Sequence, residues 1–485
     1  MAISEETFFL DPAFEGTLQK QIQSMIAEGI LSGRFRPGEK LPSSRGLARH
    51  LGISRITVTL AYTELQADDY IVSRGRSGYF VSDTAPQPRL SGPVSVREDT
   101  VDWNSVVGTR FSALRQVRKP DNWQSYRYPF IYGQADATLF DHANWRLCAL
   151  QALGQRDFNA MTADYFERDD PKLVEFIARH SLPRRGIVAG PDEILVTLGA
   201  QNALWIAAQV LLNSSRTAVI ESPCYPGLSS VLAETGCTMV AIPIDDSGLP
   251  PDSVPAEADV VFTTPSHHCP TSVTMPLERR RGLLDRASRD DFIVVEDDYE
   301  FEMSFLTPPS PALKSLDREG RVIHVGSFSK SLFPGLRLGY LVGPAAFIRE
   351  ARALRALLLR HPPGHVQRTA AYFMSLGHYD ALIKRMARAF GKRRKIMSAA
   401  IAKAGLEMVG GGEGGSSFWI KAPAGVDTEI LAARLREKSV LVEPGAVFFP
   451  QPDPPRCYFR LAYSSIPEDR IAKGISIIAD EIAGF

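Results

Sequence analysis

The sequence predicts two folded units of different class, a small α+β unit at the N-terminus and a large α/β unit built on a mostly parallel sheet. Three observations predict this. Residues 14–82 carry three short helical patterns followed by two β-type runs. From about Tyr126 onward, β-rich runs alternate with helical ones, the signature of strands joined by covering helices. Between them, residues 83–125 are rich in Pro, Ser and charge without sustained periodicity, which reads as a linker. At 485 residues the chain is also about three times the size of a common domain.

In the small unit, Leu18, Ile22, Met25, Ile26 and Ile30 recur at helical spacing, and the pattern stops at Ser32-Gly33. After the loop RFRPGEKLPSS comes a second short helix, SRGLARHLG, which Ser43 or Ser44 can cap. Gly52 makes a turn, and a third helix begins at Ser54. Two β-type runs, Tyr70–Ser73 and Gly78–Ser82, then flank a glycine-containing tip. Helix, helix, short turn, helix and hairpin is the layout of a winged helix-turn-helix.

Charge agrees with that layout. The whole chain is neutral, with Lys+Arg 55 and Asp+Glu 55, so a globally basic nucleic-acid protein is excluded. Locally, Lys40 to Leu60 contains Lys40, Arg45, Arg49 and Arg55 and no acid, and the hairpin tip adds Arg74 and Arg76. A basic stripe on the second and third helices plus a basic wing suits phosphate neutralisation and major-groove entry. The stretch PGEKLPSSRGLARHLGISRITVTLAYTELQADDYIVSRGRSGYFV resembles the GntR-type winged-helix domain over its whole length. The resemblance implies DNA contacts from Ser43, Ser44, Arg45, Ser54, Arg55, Thr57, Tyr62, Arg74 and Arg76.

In the large unit EILVTL, TAVIES, CTMVAIPI, ADVVFTTP, DFIVVEDD and RVIHVGSF are strand candidates, with helical segments such as AQNALWIAAQVLL and LERRRGLLDRASRD between them. Chemistry on such a sheet gathers at the carboxyl ends of the strands. Lys330 stands there, among Ser327, Ser329 and Ser331, placed to form a Schiff base with a carbonyl. Asp297 and Tyr299 lie just beyond another buried run. If the carbonyl belongs to pyridoxal phosphate, the carboxylate holds the pyridine nitrogen protonated, the phenol meets the ring hydroxyl and the lysine holds the aldehyde. Gly199, Ala200 and Gln201 open a helix suited to phosphate, with Ser327, Ser329 and Arg337 as further partners. Tyr225 can stack on the ring, and Arg460, a cation in an apolar strand, suits a carboxylate.

The joint order of GAQ, E-x-P-x-Y, D-x-Y, S-x-S-K-x-x-x-P-G-x-R-x-G-Y and a late F-R resembles the fold-type I, pyridoxal-phosphate-dependent aminotransferase family across some 350 residues. The resemblance implies Lys330 as Schiff-base lysine, Asp297 and Tyr299 as ring partners, Tyr225 as stacking aromatic, Arg337 as phosphate ligand and Arg460 as carboxylate clamp. Two departures stand out. TPSHHCPTS replaces the enzymes' N-P-x-N-P-T-G, with Cys269 where the second Asn would be, and YFERDDPKLV offers Tyr165 without the glycine of the segment that reaches a neighbouring subunit's phosphate.

A GntR-like reader followed by an aminotransferase-like unit resembles the MocR subfamily of bacterial transcriptional regulators. That implies domains at 1–82 and 126–485, a small subdomain from about 370 to 485, and a head-to-tail homodimer. It also implies a regulator that binds operator DNA and senses an amino compound with an anionic group as an external aldimine, rather than an enzyme. The competing reading is a catalytically active aminotransferase with an accessory DNA-binding domain. No metal site is expected. The five scattered cysteines without C-x-x-C spacing, and an N-terminus lacking a basic region ahead of an apolar one, fit a cytoplasmic protein.

Overall fold

The computed structural model describes residues 2–86, 101–109, 111–114, 116–306, 310–411 and 414–485, and the chain divides into two compact units, Met1–Thr109 and Arg110–Phe485. Of the expected linker, residues 87–100, 110 and 115 lie outside the described residues. Its described part contains a short helix, Trp103–Val106.

The first unit is built from helices α1 (Leu18–Leu31), α2 (Ser44–Leu51) and α3 (Arg55–Ala67) and the strands β1 (Ile71–Ser73) and β2 (Tyr79–Val81). Ser43 caps α2 by accepting the Gly46 N–H at 3.0 Å, and Gly52, at φ +67°, ends it in the left-handed conformation. Ser54 caps α3. β1 and β2 pair antiparallel with Ile71 opposite Val81, and both turn into a core with Ile22, Ile26, Leu47, Val58, Tyr62 and Leu65. Helix, helix, helix and wing are thus held by one apolar cluster.

The second unit centres on a seven-stranded sheet in the order Ile194–Thr197, Gly339–Val342, Val322–Ser327, Ile293–Asp297, Val260–Thr263, Thr217–Ser222, Thr238–Pro243. Six strands share a direction, and Gly339–Val342 runs against both its neighbours. The sheet is covered on both faces, and the side chains alternate accordingly. Leu195, Ile220, Phe262, Val295 and Val325 pack with the helix Ala200–Leu211, while Val219, Val261, Val294 and Val322 pack with Leu283 and Ala287 of the helix Leu277–Asp290. Every strand expected from the sequence is present. Gly339–Val342 was not among them, and it makes the sheet mixed rather than wholly parallel.

A four-stranded antiparallel sheet follows, ordered Glu407–Met408, Ser417–Lys421, Tyr458–Ala462, Glu443–Pro444. The Ala462 N–H donates to the Phe130 carbonyl at 3.1 Å, which ties the segment leading to Tyr132 and Gly133 against this sheet.

The antiparallel strand has a steric requirement that fixes one end of the large sheet. A Cβ at Gly339 would stand 2.8 Å from the Gly326 carbonyl oxygen and 2.9 Å from the Gly199 Cα, both rigid backbone. Gly339→Ala should therefore destabilise the second unit by about 1–3 kcal/mol, the usual cost of overpacking. Calorimetric unfolding measures it, and an unchanged transition would show that the backbones are not in contact there.

Candidate functional site

The carboxyl ends of the parallel strands open onto a cavity of about 260 Å³. Gln201, Tyr225, Cys269, Asp297, Tyr299, Ser327, Ser329, Lys330, Arg337 and Arg460 line it together with Tyr132, Glu443 and Phe448. Asp297 ends its strand, and Lys330 stands three residues past Ser327 on the neighbouring one. Gly199, at φ +84°, precedes the helix Ala200–Leu211, whose first residues, Ala200 and Gln201, line the same opening. An added Cβ on Gly199 would lie 3.5 Å from Ser329 Oγ and 3.4 Å from Arg337 Nη2, so hydroxyl, guanidinium and helix N-terminus converge there. Arg337 also donates to the Leu198 carbonyl at 3.1 Å.

Charge in the cavity is unbalanced in a particular way. Burial pushes the Asp297 carboxyl up from 3.8 to about 8, with Asp298 and Glu221 adding to it, and Oδ1 is buried with no hydrogen-bond partner among the described residues. Ser329 Oγ is buried in the same condition. Burial likewise lowers the Lys330 ammonium from its ordinary value, which favours the neutral, nucleophilic amine. Its Nζ stands 4.4 Å from the Tyr132 ring centre, and a Cβ at Gly133 would collide with it, so only glycine leaves the amine its room. Burial pushes the Tyr225 phenol up to about 12 and the Cys269 thiol up to about 12.

Neighbouring groups set the remaining side chains. Glu221 accepts from the Thr263 hydroxyl at 2.6 Å and the Thr264 N–H at 3.0 Å, and Thr264 Oγ1 accepts the Cys269 N–H at 3.3 Å. That fixes Cys269 on the wall. The Tyr299 hydroxyl donates to the His267 carbonyl at 3.1 Å, and the Tyr225 hydroxyl meets Gln201 Oε1 at 3.3 Å. His267 and His268 are buried, and burial lowers His267 to about 4.

Arg460 requires a correction. The sequence suits Arg460 to a bidentate carboxylate, with a structural ion pair as the alternative; it lines the cavity, but its Nε donates to Glu443 Oε2 at 2.7 Å, which leaves the Nη groups. Sequence reasoning missed Glu443, Tyr132 and Phe448, which come from the small sheet, the segment at 128–134 and a short turn. Their one visible signal was an acid and two aromatics in otherwise apolar runs beside glycine. Val117 and Lys119, within the expected linker, also border the cavity. Tyr165 does not line it.

The raised Asp297 value has a direct consequence. A carboxyl whose folded value exceeds its unfolded one contributes fully to stability below the unfolded value and loses that contribution as pH rises through the folded one. The ligand-free chain should therefore lose thermal stability relative to Asp297→Asn as pH rises from 3.8 to about 8. A pH-independent difference in Tm between the two proteins would contradict this placement of the carboxyl.

In the first unit Arg45, Arg49 and Arg55 are exposed on α2 and α3, and Arg55 Nε reaches Ser44 Oγ at 3.4 Å. Ser43 and Ser54 spend one lone pair each on helix caps, and Thr57 is half-buried. Arg74 sits over the Phe80 ring at 4.7 Å and lies 3.7 Å from Asp83. The Arg76 side chain lies outside the described residues. Tyr62 is the second correction. It is fully buried, its hydroxyl donates to the Pro42 carbonyl at 2.9 Å and its ring packs on Tyr79, so it braces the loop before α2 and cannot reach DNA.

Comparison with known proteins matches both units. Residues 18–81 match the family of bacterial regulatory proteins, gntR family, and residues 141–478 match aminotransferase class I and II. The chain is 57% identical over 480 residues to the HTH-type transcriptional regulator TauR of Rhodobacter capsulatus, covering 99% of each chain. It is 30% identical to the probable rhizopine catabolism regulatory protein MocR of Rhizobium meliloti, over 80% of this chain and 78% of that one. Among solved structures, the Pyrococcus horikoshii kynurenine aminotransferase in complex with PMP is 27% identical, with a TM-score of 0.70 over 78% of this chain and 97% of that one. The winged reader, the mostly parallel sheet and these relatives together place the chain in the MocR subfamily of GntR-type transcriptional regulators, in which a helix-turn-helix domain is fused to an aminotransferase class I/II domain.

Proposed function

We propose that the cavity holds pyridoxal phosphate and that the regulator senses a primary amine there, converting its arrival into altered operator binding. The observation that carries this reading is the pairing of a nucleophilic lysine with a buried, unpartnered carboxyl at the carboxyl edge of one sheet. A protonated ring nitrogen is the partner that would restore the ionised form of Asp297. Lys330 would hold the aldehyde, Tyr299 the ring hydroxyl and Tyr225 the ring face. Gly199, Ala200, Gln201, Ser327, Ser329 and Arg337 would hold the phosphate. When bound, the cofactor supplies an aldehyde that reacts reversibly with primary amines. The Nη edge of Arg460 would receive an acidic or other oxygen-bearing group of the amine.

The proposed domains are 1–82 and 126–485, with a subdomain from about 370; the matches at 18–81 and 141–478 fall within them, while the second compact unit begins at Arg110. Among the described residues no helix is long and apolar enough to cross a membrane, and we place the protein in the cytoplasm. A head-to-tail homodimer completes the reading, supported by Leu147, Leu150 and Leu153 standing exposed along and just beyond the helix His142–Ala152. The covalent route from cavity to reader runs through residues 83–125, of which Val117 and Lys119 border the cavity. Coupling of this kind is worth about 1–3 kcal/mol.

Two experiments test the two halves. Lys330→Ala should abolish the absorbance band that added pyridoxal phosphate gives the parent protein, while operator binding is retained. A borohydride-reducible adduct surviving in that variant would overturn the assignment. In the reader, Arg45→Ala/Arg55→Ala should weaken operator binding and reduce the salt slope by about one for each phosphate no longer neutralised. Unchanged affinity in an anisotropy titration would move the interface elsewhere.

A further inference from the structure

Glu443 and Arg460 face each other directly across two antiparallel strands, Glu443–Pro444 and Tyr458–Ala462. Both side chains are buried, and Glu443 spends its two oxygens, one on Arg460 Nε and the other on the Tyr132 N–H at 3.2 Å. The guanidinium is covered on its faces as well. Its centre lies 4.1 Å from the Tyr132 ring centre and 4.6 Å from that of Phe448. What remains is the Nη edge, where the nearest partner is the Cys269 sulfur at 4.0 Å, a weak acceptor. A ligand can therefore approach Arg460 only in the plane of the guanidinium and along that edge.

The electrostatics follow from the pairing. A carboxylate at 2.7 Å offsets much of the arginine's own charge in this buried setting, so at the Nη edge an arriving acid meets donors with a reduced positive potential from Arg460. Donors at reduced potential reward oxygen acceptors whether or not they are ionised.

We propose that Glu443 is a specificity-determining residue of this cavity: it limits the amines the protein senses to those bearing a single oxygen-acceptor group, charged or neutral, and excludes amino diacids. This rests on the reading of the cavity as an amine-sensing, cofactor-bearing site. A second carboxylate on the ligand finds Glu443 itself as its neighbour, and like charges at close range in a buried site repel. Removing the Glu443 charge should open the site to anions.

The test uses the full chain loaded with pyridoxal phosphate and three probe amines: 3-aminopropanoate, its neutral analogue 3-aminopropanamide, and aspartate. Kd is read from the cofactor absorbance and, independently, from operator affinity by anisotropy. In the parent, acid and amide should bind within about threefold of one another and aspartate at least tenfold more weakly, a tenfold change being about 1.4 kcal/mol. Glu443→Gln keeps the shape and an acceptor for Nε, and should tighten 3-aminopropanoate and aspartate about tenfold while moving the amide by no more than about threefold. Glu443→Asp, which keeps the charge, should retain the parental acid-to-amide ratio. A parental ratio above about tenfold in favour of the acid overturns the proposal without any variant, so a misfolded Glu443→Gln does not shelter it. A Glu443→Gln protein that folds but leaves the ratio unchanged overturns it as well. If no amine alters either signal in the parent, the sensing reading fails, and this proposal falls with it.

Discussion

Sliding the strand Ile293–Asp297 by one residue along Val322–Ser327 would turn every side chain of that strand to the other face of the sheet. The observed parallel register, with Asp297 beside Val325, is what sets the carboxyl and Lys330 around one opening. It is enforced from both faces, because Val295 and Val294 belong to opposite apolar clusters and neither can be turned to the other side without giving up its packing. The adjacent acid shows how strictly the alternation holds. Asp298 does not line the cavity and meets Arg185 at 2.6 Å; against burial, which raises it, Arg185 with His324 and Ser266 holds that carboxyl below its ordinary value. Two neighbouring aspartates in one buried turn thus acquire opposite tendencies, one ionised by its partner and one left waiting for a positive group.

The same logic distinguishes the two buried cations of the site. Lys330 has no carboxylate within ion-pair distance among the described residues, and burial lowers it toward the neutral amine against the pull of Glu300 and Glu443. Burial also works against the charge of Arg460, but Glu443 together with Cys269 and Tyr132 outweighs it and raises that group. In the proposed function the two groups would have different tasks, the amine to exchange a proton and a bond and the guanidinium to present donors without changing state. Cys269, its N–H held by Thr264 Oγ1, stands on the wall of the same cavity.

Much of this was legible in the sequence, for a reason that also explains what was not. Lys330, Asp297, Tyr299, Tyr225, Ala200 and Gln201 lie within a few residues of strand ends, so local patterning places them, and the structure brings them to one cavity. Tyr132 reaches the cavity through a bond to Glu443, 311 residues along the chain, and Glu443 through its strand's pairing with Tyr458–Ala462, and no local pattern carries either. Gly339–Val342 escaped notice because four residues after a turn give too short a run to separate strand from loop. Tyr62 is a different failure. Val58, Ala61, Tyr62 and Leu65 follow the i, i+3, i+4, i+7 spacing of a core stripe, which outweighs the polar motif around them.

The central claim is that amine binding at Lys330 and operator affinity are two readings of one event. Titrating 3-aminopropanoate into the cofactor-loaded chain on labelled operator DNA, with absorbance and anisotropy recorded from the same sample, tests it most directly. The account predicts coincident midpoints for the two signals and no accumulation of the corresponding oxo acid. An operator affinity that stays constant while the absorbance changes through its full range would contradict it.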